Sequence, residues 1–85
     1  MRIQLTIHLP NEALDVQATV PGSTRPYDLI NKLKRDGYLP IPRDAVFYKL
    51  MDEATNRELF DLEPLGAAGI GPVARLRVTR VVAGA

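Results

Sequence analysis

The sequence contains no cysteine and no tryptophan, and its single histidine is His8. Without cysteine there is no disulfide staple, no thiolate zinc site and no thiol nucleophile. A serine–histidine–carboxylate machine would have to combine His8 with Ser23, the one serine in the chain. Excess charge of either sign is also missing: 11 Lys and Arg stand against 10 Asp and Glu, a formal net charge of +1. That leaves no field to gather nucleic acid or an anionic membrane surface. No apolar run approaches the roughly 20 residues of a bilayer span, and no signal peptide opens the chain, so a cytoplasmic setting is expected. Gly66, Gly69 and Gly71 lack the spacing and the following lysine of a phosphate-binding loop.

What remains is an ordinary globular balance, with 46% hydrophobic and 25% charged residues over 85 positions. A single domain of this size buries roughly 60–65% of the surface its unfolded chain exposes. That supports one small core and no deep substrate cleft. The expectation is a chain that is not an enzyme, holds no cofactor and presents a surface or a terminus to other molecules.

Residues 2–9 alternate polar and apolar with period two, Ile3, Leu5, Ile7 and Leu9 on one face and Gln4, Thr6 and His8 on the other. Pro10-Asn11-Glu12 has turn chemistry. A second alternating run follows, with Leu14, Val16, Ala18 and Val20 on its apolar side, and the two runs predict an antiparallel hairpin. After Pro21-Gly22, Ser23 or Thr24 is placed to cap a helix with Pro26 in its first turn. The expected buried stripe is Tyr27, Leu29, Ile30 and Leu33, and Gly37 is the expected stop. Pro40 and Pro42 force an extended exit. Residues 45–51 read as a third strand, 52–57 as a polar turn, 58–60 as a short fourth strand and 61–71 as a loop with one helical turn. The last strand starts at Val73, with Leu76 and Val78 inward and Arg75, Arg77 and Thr79 outward. One helix on one face of such a sheet is an α+β layout.

Several local features resemble the ubiquitin-like β-grasp family over nearly the whole chain. The helix ending in Asp36-Gly37 and followed by Pro40 and Pro42 is similar to the helix, glycine and proline exit of ubiquitin. Tyr48 through Leu59 resembles the third strand and turn of small bacterial ubiquitin-like proteins of the YukD/EsaB type. Leu65-Gly66-Ala67-Ala68-Gly69-Ile70, followed by the Leu76–Val78 strand, resembles the same group. The resemblance implies a ubiquitin-like β-grasp: a mixed sheet of four to five strands with one helix packed across it. That domain would span residues 1–80, with 81–85 as a flexible C-terminal tail.

Set beside ubiquitin from Leu76 and Val78, the chain places Gly84-Ala85 where ubiquitin has Gly-Gly. This implies a protein modifier of a bacterial conjugation-like pathway. Its C-terminal carboxylate would be activated at the expense of ATP and attached by partner enzymes. Small residues let such a tail enter a narrow transfer channel. The implied partners are activating and conjugating enzymes or a processing peptidase, together with target proteins. Ala85 departs from the second glycine, and the resemblance equally implies a YukD/EsaB-type adapter that binds a secretion or regulatory partner without conjugation. A sulfur carrier shares fold and terminal activation, but that class relies on a Gly-Gly thiocarboxylate.

The candidate site residues divide into a conjugation tail, Gly84 and Ala85, and a partner-binding surface. Phe47 and Lys49 alternate away from the core side of the third strand, where ubiquitin carries an apolar patch read by many partners. Arg75, Arg77 and Arg80 make a basic stripe suited to an acidic partner, or to a solvated face balanced by Asp52, Glu53, Glu58 and Asp61; aromatic stacking groups for nucleic acid are not interleaved with it. Val81 and Val82 either await a partner strand or extend the last one. His8 reads as a solvated strand residue. With no second histidine, no metal site is expected, and Asp52-Glu53 and Asp61-Glu63 read as turn charges.

Overall fold

The computed structural model describes residues 1–10, 14–40 and 46–82. Strand β1 (Arg2–His8) and strand β2 (Asp15–Pro21) form the expected hairpin, with Ile3 opposite Val20, Leu5 opposite Ala18 and Ile7 opposite Val16. Helix α1 (Pro26–Arg35) follows, then β3 (Val46–Asp52), the two-residue β4 (Arg57–Glu58) and β5 (Val73–Val82). The five strands form one sheet in the order β2-β1-β5-β3-β4. β5 runs parallel to β1 and antiparallel to β3, which makes the sheet mixed.

One face of the sheet is apolar and lies under the helix. Ile3, Leu5, Ile7 and Leu9 are buried, as are Leu50, Leu76 and Val78 beside them. Leu29, Ile30 and Leu33 reach down from α1, and Leu39, Leu59, Leu65 and Ile70 close the margins. The Tyr48 ring is buried in this core, and its hydroxyl donates to the Pro40 carbonyl at 2.9 Å.

Three expectations are corrected. The helix cap is Arg25, with no side-chain cap hydrogen bond, rather than Ser23 or Thr24. Those residues are held in the connection before the helix: the Thr24 amide donates to Pro21 and its carbonyl accepts from Leu65. The buried helical stripe is Pro26, Leu29, Ile30 and Leu33, while Tyr27 is 53% exposed. Positions i, i+3, i+4 and i+7 counted from Pro26 fill one face, and Tyr27 falls at its flank. Leu14 is exposed because β2 begins one residue later, at Asp15.

The C-terminal end of α1 follows expectation. Gly37 has φ +83°, its amide donates to Lys34, and the Tyr38 amide returns to Leu33. This is a Schellman closure, which needs a left-handed residue at that point. The turn Pro10-Asn11-Glu12 lies partly, and the stretch from Ile41 to Ala45 wholly, outside the described residues. β5 continues two residues beyond the expected domain boundary at 80, pairing Val81 with Phe47 and Val82 with Val46. No described helix is long and apolar enough to cross a membrane.

Candidate functional site: the outer sheet face and the end of β5

The sheet face opposite α1 is assembled from alternate residues of four strands, because side chains switch faces at every step. Register sets the rows. Asp15, His8, Arg77 and Met51 lie across β2, β1, β5 and β3 in one line. Lys49 sits opposite Thr79, and Phe47 opposite Val81.

The β2 side of this face is a charge network. His8 Nδ1 lies 2.8 Å from Asp15 Oδ1, and Arg75 Nη2 lies 3.5 Å from Asp15 Oδ2. Arg75 Nε also approaches Glu53 Oε2 at 3.4 Å. The hydrogen bond with His8 is the main cause that holds the Asp15 carboxyl below the usual carboxylate range; desolvation opposes it, and the Arg75 charge adds to the lowering. Arg77 Nη2 contacts the Met51 sulfur at 3.2 Å and has no carboxylate partner among the described residues. The β3 side is more apolar. Phe47 is 52% exposed and Val81 is 39% exposed, and they meet as a cross-strand pair. Lys49 separates this pair from the charge network and donates to Asp61 Oδ2 at 2.8 Å.

The predicted surface residues Phe47, Lys49, Arg75, Arg77 and Val81 are therefore brought onto one face. Arg80 is not: it alternates with Val78 and Leu76 and lies opposite Tyr48, on the helix side. The basic stripe is also less free than its sequence implies, since Arg75 is shared between Asp15 and Glu53. Asp52 is not among its balancing carboxylates. It is buried and accepts from the Ala54 amide and the Thr55 hydroxyl, closing the turn that places Asn56 at φ 56°. Asp15 and Met51 were not singled out from sequence as members of this surface, whereas Asp61 was expected among its carboxylates and is found there, bound to Lys49. Matching the apolar positions of the two hairpin strands would have placed Asp15 beside His8.

The ladder to β1 ends where His8 meets Arg77, whereas the ladder to β3 continues to Val82. The last part of β5 thus runs past β1 while staying paired with β3. Gly84 and Ala85 lie outside the described residues.

No protein-family model matches the sequence, and no curated protein matches it. Solved structures do. Ubiquitin from Caldiarchaeum subterraneum superposes with a TM-score of 0.71 at 20% identity, covering 99% of this chain and 100% of that one. A de novo designed protein based on ubiquitin gives 0.71 at 19% identity, covering 98% and 93%. The ubiquitin-like domain of an Arabidopsis thaliana protein gives 0.68 at 22% identity, covering 92% and 76%. At these identities the likeness is one of fold: the chain is a ubiquitin-like β-grasp, with one helix across a five-stranded mixed sheet.

Proposed function

We propose that this chain is a ubiquitin-like protein modifier of a bacterial conjugation-like pathway, attached to targets through its C-terminal carboxylate. The observation that carries the reading is the course of β5. It outruns β1, stays paired with β3 to Val82 and leads directly into Ala83-Gly84-Ala85. A paired strand followed by three small residues suits a segment that must enter another protein's channel. Activating and conjugating enzymes, or a peptidase that first exposes Gly84, would supply the chemistry, with ATP consumed in activating the carboxylate. The body would contribute recognition, through the Phe47–Val81 pair and the Arg77 guanidinium on the outer face. Exposed aromatic and arginine side chains are the residue types that anchor protein interfaces.

Ala85 in place of a second glycine favours a second reading, a YukD/EsaB-type adapter that docks through the same face and is never attached. Capture of N-terminally tagged protein from its native cells separates the two. For a modifier, heavier species survive denaturant and disappear when Gly84-Ala85 is deleted. For an adapter, a partner is recovered only under native conditions, the deletion has no effect, and Phe47→Ala with Arg77→Ala weakens recovery.

A further inference from the structure

α1 and the outer edge of β3 enclose a cleft of about 120 Å³, lined among others by Tyr27, Lys34, Phe47, Tyr48, Lys49 and Asp61. That volume accommodates a side chain, not a cofactor. Among the described residues, the edge beside it is unpaired there. β4 reaches only Met51 and Asp52, and the Leu59 amide takes the Leu50 carbonyl. Backbone groups of a strand alternate between its two edges. Tyr48, two residues before Leu50, therefore turns its N–H and C=O to the same side. Among the described residues no strand pairs with β3 at that point.

Charge and exposure specify what fits there. The Lys49 ammonium is neutralised by Asp61 at 2.8 Å. Lys34 stands 6.0 Å from the centre of the Tyr48 ring and has no carboxylate at ion-pairing distance among the described residues. Among the described residues, the cleft lining thus carries one positive charge more than negative, that of Lys34. Tyr27 and Phe47, each about half exposed, add apolar surface at its rim.

We propose that this cleft takes an extended acidic peptide segment of a partner protein. The segment adds a strand to β3 at Tyr48, sets a carboxylate on Lys34 and packs an apolar side chain against Tyr27 and Phe47. Main-chain pairing supplies affinity in such strand addition, and the pocket with its charge supplies selectivity. The interaction needs no covalent attachment and stands apart from the reading of the tail.

The test is selection of a random decapeptide library on the full chain, with amide chemical-shift mapping of the best peptides. The expected binders alternate apolar residues with Asp or Glu, shift Tyr48, Lys49 and α1, and weaken as salt rises. Lys34→Glu lowers their affinity by about tenfold or more. Lys32→Glu, on the same helix but paired with Asp36, leaves it unchanged. Lys34→Gln carries the same expectation should the charge reversal disturb folding. No enrichment, enrichment of basic or uncharged peptides, shifts confined to the Arg77–Met51 face, equal effects of the Lys32 and Lys34 variants, or a second copy of this chain occupying the edge would each overturn the proposal.

Discussion

Phe47 and Tyr48 are neighbours with opposite fates, one half exposed on the outer face and the other 7% exposed in the core. The pleat makes this division, and it predicts different costs for truncation. Leu76 is fully buried, so Leu76→Ala should destabilise the fold by about 2–5 kcal/mol in urea melts. Phe47→Ala should cost less, about 0.5–1.5 kcal/mol, because only half of its surface is covered and the loss is mainly the cross-strand pair with Val81. Asp15 gives a pH prediction. Its folded carboxyl ionises more readily than the unfolded one, so its contribution is present above the unfolded value near 4 and is lost as pH falls through the folded value. Asp15→Asn should therefore remove part of the acid-side loss of stability seen in melts between pH 6 and pH 3. An unchanged acid limb would mean the His8–Asp15 contact does not persist in solution. The alternation that sorts these residues is legible in sequence, since it needs only the period of a strand. The contacts among Asp15, His8, Arg75 and Glu53 join four separate stretches of chain and need the pairing register.

At the scale of elements, α1 shows which local signals were decisive. Its stop was legible because a left-handed φ at Gly37 is a property of that residue alone. Gly37→Ala meets no steric obstacle, yet its backbone strain should cost roughly 1–2 kcal/mol. Gly71→Ala, at an ordinary φ and equally open, should be close to neutral in the same thermal melts. Pro26 in the first turn of α1 was legible, but the capping residue was not. Ser23 and Thr24 are good caps by type, but Leu65 and Gly66 bind the backbone of the connection and shift the helix to Pro26. β5 likewise exceeds its expected length because β3 offers a partner as far as Val46, a pairing that β5's own sequence does not contain.

For the whole molecule, the order of elements and the helix-over-sheet layout follow from periodicity, turn residues and the glycine–proline exit of the helix, all readable along the chain. The outer face was legible residue by residue but not as a surface: Arg80 falls on the other side, and Asp15 and Asp61 join it from distant segments. On the proposed reading, recognition would belong to the body and attachment to the tail, so the two should be separable. Deleting Gly84-Ala85 removes nothing from the described ladder and should leave the thermal midpoint within about 3 °C, since changes that remove no core or ladder contact seldom exceed about 0.5 kcal/mol. The same deletion should abolish attachment. The most direct test of that claim is peptide mass spectrometry on tagged chain purified from its native cells under denaturing conditions. The account predicts a branched peptide in which the carboxyl of Ala85 or Gly84 is joined to a side chain of a second protein with loss of one water. Recovery of only the free, linear C-terminal peptide, in cells where the chain is expressed and its pathway active, would contradict it.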